Sequence, residues 1–128
     1  MITYYAAPGI KNNIFIPANM TEEIRLQYAI QIIESVARYY NVSMERVKGK
    51  SREGDLPKVC QISSFYIKKK IPMMRLKEIA GLYGQRYLLK SGFDADHSAI
   101  VHNVKTVEGW LKVHDPLEED VLTIKNLI

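Results

Sequence analysis

DHSAIVHNVKTVEGWLKVHDPLEED, residues 96–120, is the stretch on which the fold turns. Ile100, Val104, Val107 and Leu111 step along it by helical intervals, so one face of a helix is a continuous apolar seam. Asp115, Pro116 and Glu118 then read as the start of another helix, with Asp115 as the capping residue and Glu118 answering it. Leu117, Val121, Ile124 and Ile128 give that helix a buried face. Its acids lead and Lys125 follows, the order the helix dipole favours. The first of these helices opens with Asp96-His97-Ser98. A helix that presents short polar side chains at its N-terminus suits the major groove of DNA, where first-turn residues reach the base edges. An Asp accepts from cytosine N4–H, a His donates to guanine N7 or O6, and a Ser suits several partners. The free first-turn N–H groups can meet a phosphate.

Working upstream, helical patterning continues. Asn19 or Thr21 can cap a helix to about Tyr40, with Ile24, Tyr28, Ile32, Val36 and Tyr40 inward and Leu26, Ile33 and Ala37 widening the stripe. Ser43 can cap one or two further turns, and Gly49 stops them. The loop KGKSREGDLP follows. Pro57, a favoured first-turn residue, then opens a helix to about Lys70 with Val59, Ile62 and Tyr66 inward, until Pro72 breaks it. A short helix carries Leu76, Ile79, Ala80 and Tyr83 and ends at Gly84; residues 85–95 are irregular. Residues 1–20, with Pro8-Gly9 and Asn12-Asn13 as turn signals between aromatic and β-branched residues, read as an extended arm. The expectation is an all-α domain of about six helices over residues 21–128, preceded by that extended N-terminal arm.

Composition narrows the function. At 128 residues, 47% hydrophobic and 25% charged, the chain is one ordered domain. No apolar run approaches a membrane span, and residues 1–10 lack the pattern of a secretion signal. A single cysteine, Cys60, fits a reducing cytoplasm and a buried apolar role. The spacing of His97, His102 and His114 does not build a metal site, and Asp96 and His97, adjacent on a helix, do not face each other as a catalytic dyad. No phosphate-binding Gly-rich loop or nucleophile motif is present, so neither cofactor nor enzymatic activity is expected. The net charge is +4, but it is unevenly spread: residues 43–70 carry eight basic side chains against three acids, whereas four acids crowd into residues 115–120. A basic half of this kind points to a polyanionic partner.

Five blocks in order carry a resemblance. Val36-Ala37-Arg38-Tyr39-Tyr40-Asn41-Val42-Ser43, the basic Lys48-Gly49-Lys50-Ser51-Arg52, Gln61-Ile62-Ser63, Leu76-Lys77-Glu78-Ile79-Ala80 through Gly84, and Asp96-His97-Ser98-Ala99-Ile100-Val101-His102-Asn103-Val104-Lys105 together resemble the C-terminal DNA-binding domain of the bacterial chromosomal replication initiators, DnaA. The resemblance spans about residues 30–114. It implies a Trp-repressor-like helix-turn-helix that binds double-stranded DNA. Asp96, His97 and Ser98 would read bases in the major groove, and Arg52 would enter the minor groove. Lys48, Lys50, Lys58 and Lys68 would hold phosphates. The chain departs from the family at Ala95 and Cys60, where arginines are usual, at Ala99, and in about nine extra residues before Asp96. It lacks the ATPase region, so the expectation is a stand-alone relative: a cytoplasmic, nucleoid-associated regulator acting at initiator boxes in replication or transcription. The alternative keeps the fold but turns it to protein contact. In either case a protein partner could use the arm or the 85–95 insertion.

Overall fold

In the computed structural model of the chain, the structure describes residues 21–89 and 95–128. They form six helices: α1 (Glu22–Tyr39), α2 (Met44–Val47), α3 (Leu56–Lys70), α4 (Leu76–Gly81), α5 (His97–Val113) and α6 (Leu117–Lys125). No named strand occurs among the described residues; the nearest approach is a single antiparallel bridge between Leu88 and Ala95. The all-α expectation therefore holds, while the extended arm falls on residues 1–20, outside those described.

The helix ends follow from local chemistry. The Thr21 hydroxyl accepts from the Ile24 N–H at 3.3 Å, and Ser43 does the same for Arg46. Each satisfies one of the orphan donors of a first turn. Asn41, with φ 57°, turns the chain out of α1, and His114, with φ 55°, ends α5. Pro57 lies in the first turn of α3. Glu78 accepts from the Arg75 N–H at 3.1 Å and opens α4. Asp115 Oδ1 accepts from Leu117 N at 2.9 Å, but Glu118 does not answer as a capping box would: its carboxylate lies 3.3 Å from His114 Nδ1, and the Asp115 N–H donates to the Trp110 carbonyl.

α3 is the centre of the molecule. Six consecutive residues, Ile62 to Ile67, are buried, which happens when a helix is covered on every side. α1 and α5 pack on it, and α4 packs on α5. From α1, Tyr28, Ile32, Ile33, Val36 and Ala37 enter the core, with Ile24 and Tyr40 at its edge. α6 docks through hydroxyls as well as through Val121 and Ile124. Tyr66 donates to the Val121 carbonyl at 2.6 Å, and Tyr40 and Tyr39 donate to Asp120 at 2.8 and 3.2 Å. No helix is long and apolar enough to cross a membrane among the described residues.

The seam of α5 differs from its expected register. Ile100 and Val107 are fully buried, but Val104 and Leu111 are only half-buried, and the third buried residue of the face is Asn103. The reason is a polar cluster inside the core. Ser63 and Ser64 of α3 donate back to the Val59 and Cys60 carbonyls at 2.6 and 2.7 Å, and both hydroxyls meet Tyr83 OH. Asn103 Nδ2 donates to Ser64 Oγ at 3.2 Å and to Tyr87 OH at 2.9 Å. A buried amide needs partners, and the Ser64 and Tyr87 hydroxyls supply them, so Asn103 sits inward where the apolar count places Val104.

Candidate nucleic-acid interface

The N-terminus of α5 is built around Asp96. Its Oδ1 accepts from the Ser98 N–H at 3.0 Å and from the Ser98 hydroxyl at 2.5 Å. The Ser98 hydroxyl, with the Ser98 and Ala99 N–H groups behind it, holds the Asp96 carboxyl below the usual carboxylate range. Asp96 is thus a helix cap, and Ser98 spends its hydroxyl proton on that cap. His97 and Ser98 are both exposed.

Facing this helix end is the loop between α2 and α3. Glu53 N–H donates to Ser51 Oγ at 3.2 Å, and Gly54 adopts φ 58° where the chain turns back toward α3. Lys48, Lys50 and Arg52 are exposed along the loop. The segment after α4 grips it. Gly84 has φ 62° and lies so close to Lys48 that an added Cβ would sit 2.8 Å from the Lys48 Cβ and 3.0 Å from its carbonyl oxygen. Gln85 N–H donates to that carbonyl at 3.1 Å. The Arg86 guanidinium donates to the Val47, Ser51 and Arg46 carbonyls at 2.7, 2.6 and 2.9 Å.

Between loop and helix lies a cleft of about 710 Å³. Lys50 and Arg52 line it from the loop, Asp96, Ser98, Ala99 and His102 from α5, and Gln61 and Cys60 from α3; Leu88 and Leu89 also border it. Burial pushes the Cys60 thiol up, which suits a packed rather than reactive cysteine. Four sequence-predicted residues, Lys50, Arg52, Asp96 and Ser98, therefore share one surface. His97 lines a separate shallow depression of about 550 Å³ with Lys68, Arg75 and Lys77, so cations flank the helix start on two sides.

Three of the expected phosphate-binding lysines are placed differently. Lys48 is exposed on the loop but does not line the cleft. Lys58 lies 3.4 Å from Asp55 and 6.0 Å from the centre of the Tyr40 ring and lines neither depression. Lys68 donates to the Pro72 and Met74 carbonyls at 3.1 and 3.2 Å, fastening the turn between α3 and α4. Two residues of the surface were not singled out from the sequence as site residues. His102 lies one turn beyond Ser98 and Ala99 on the same helix face, a spacing that could have found it. Arg86 contacts a loop some 40 residues back, and no local pattern announces that.

No family model matches the chain, and no solved structure does. Two curated proteins do. The chain is 27% identical over 99 residues to the chromosomal replication initiator protein DnaA of Enterococcus faecalis, covering 77% of this chain and 20% of that protein. It is 28% identical over 96 residues to DnaA of Xanthobacter autotrophicus, covering 75% of this chain and 17% of that one. The chain spans about a fifth of the length of these relatives, and over three quarters of its own length it is a DnaA-like sequence.

Proposed function

We propose that residues 21–128 form a helix-turn-helix domain that binds double-stranded DNA with sequence preference. α4 and α5 are its two helices, with the start of α5 in the major groove and the loop around Arg52 at the adjacent minor groove. The observation that carries this reading is the shared cleft: two loop cations face the polar helix start of Asp96 and Ser98. Cations at the edges with short polar groups between them match a duplex, whose phosphates lie at the edges and whose bases lie between. Asp96 and His97 are the base readers, with His102 one turn further in. Ser98 helps through its acceptor lone pairs; Lys50 holds phosphates at the cleft, Lys48 further along the same loop, and Lys68 on the other side of the helix start, beside His97. Lys58, paired with Asp55, contributes least. The likeness to replication initiators adds a place of action: DNA of the bacterial nucleoid, in control of replication or of transcription.

A second reading is favoured by Leu88 and Leu89, 40% and 44% exposed beside the cleft. It makes the same face a protein-docking surface. One titration separates the two. Fluorescence anisotropy of a labelled random-sequence duplex, repeated across salt concentrations, should show log affinity falling with log salt. The slope should be roughly −3 to −5, about −0.9 for each phosphate neutralised. Affinity that does not respond to salt, or no binding at low salt, refutes the DNA reading. Selection of bound fragments from a genomic library then gives the preferred site.

A further inference from the structure

We propose that Arg86 is a positioning residue that fixes the basic loop relative to the start of α5, so that the two DNA-contacting elements approach the duplex at one set spacing. The proposal rests on the DNA-binding reading above. Two of the carbonyls Arg86 engages, Arg46 and Val47, belong to the end of α2, where a cation is favoured; the Arg46 carbonyl also accepts from the Gly49 N–H at 3.1 Å, so Arg86 reinforces a turn that is already closed. The third, Ser51, lies beyond Gly49 on the far side of the turn. One planar guanidinium thereby ties both ends of residues 46–51 together. Gly84 and Gln85 add a close backbone approach and a fourth hydrogen bond, both on Lys48. The next residue, Tyr87, accepts from the Asp96 N–H at 2.6 Å, and Leu88 pairs with Ala95. Residues 84–88 are therefore a strut with the loop at one end and the cap of α5 at the other. Lysine does not replace arginine here, because the three carbonyls are met by three separate nitrogens of one planar fork, Nε, Nη1 and Nη2, whereas an ammonium donates from a single point.

The test compares R86M and R86K, alone and combined with the double substitution K50A/R52A, by two readouts. The first is amide hydrogen exchange at Lys48, Gly49 and Gln85, with the buried amides of α5 as an internal control for global stability. In R86M the three loop amides should exchange about tenfold faster while the α5 amides keep their rates, since local opening and global unfolding separate in this measurement. The second readout is affinity for the selected duplex. R86M should weaken it about tenfold in the parent and less than about twofold when Lys50 and Arg52 are already alanine, the non-additivity expected of groups acting through one another. R86K should not restore affinity. Unchanged loop exchange overturns the clamp. Full additivity, or rescue by R86K, overturns the positioning role and makes Arg86 a direct phosphate contact. If the parent protein binds no duplex, the DNA reading and the positioning role both fall, and the exchange data alone decide whether the clamp exists.

Discussion

Asn103→Ala removes the polar residue that α5 places inside the core. Asn103 is 6% exposed, and its Nδ2 makes two hydrogen bonds, to Ser64 Oγ and Tyr87 OH. Each is a neutral bond worth about 0.5–1.5 kcal/mol net. Ser64 Oγ keeps the Cys60 carbonyl and Tyr83 OH as partners, so it is not orphaned. The expected loss is therefore about 2 kcal/mol, from two bonds and a small void. For a domain of this size that lowers the thermal midpoint by roughly 8 °C. Asn103→Asp should do more, because a carboxylate there is buried with no cation among the partners just named. Circular dichroism melts of Asn103→Ala, Ser64→Ala and the double variant give the coupling between the two positions. A midpoint within ~2 °C of the parent for Asn103→Ala, or strict additivity with Ser64→Ala, would mean that the cluster does not hold α5 on α3 and that its register has another cause.

Asp96→Asn should leave the melt nearly unchanged, since asparagine caps as well as aspartate, yet shift the selected-site profile at one base pair; Asp96→Ala should lower the melt as well. The depressed carboxyl adds a pH signature: its stabilisation is complete above the unfolded pKa of ~3.9 and is lost as pH falls through the lower folded value, so the two melts, nearly equal at neutral pH, should separate in acid, the parent falling further than Asp96→Asn, which has no carboxyl to protonate there. Lys50→Ala should flatten the salt slope by about one unit without moving the melt, whereas Lys68→Ala should lower the melt because two carbonyls lose their donor; equal melts for the pair would contradict this division. Tyr40→Phe should cost ~1–2 kcal/mol by removing a donor to the Asp120 carboxylate, and exchange of α6 amides should rise more than that of α3; uniform change would place the loss elsewhere.

Caps and breakers made the helix boundaries legible. Thr21, Ser43, Pro57, Asp96 and Asp115 all sit within a residue or two of an observed helix start, because capping is local: the four side-chain caps reach only two or three positions ahead. The seam of α5 was read one position off. Counting apolar residues selects Val104 over Asn103, although Ile100, Asn103 and Val107 have equally good spacing. What tips the choice is the pair of hydroxyls that Asn103 meets, Tyr87 beyond α4 and Ser64 on α3, 16 and 39 positions upstream. The site divides in the same way. Asp96 and Ser98 are visible because a helix start is a local event. Arg52 and Lys50 are visible as a charge run, and their meeting with α5 followed only from the family resemblance. The Arg86 clamp was missed because Gly84 read simply as a helix stop, while its positive φ also lets the following residues close on Lys48.

The bridge between Leu88 and Ala95 bears on how such sequences can diversify. Because these two positions are joined directly, the length of chain between them does not set the distance from α4 to α5. Closing a longer excursion costs only about 0.6 kcal/mol for each doubling of its length. The number of residues joining Leu88 to Ala95 can therefore change over generations while α5 keeps its seat.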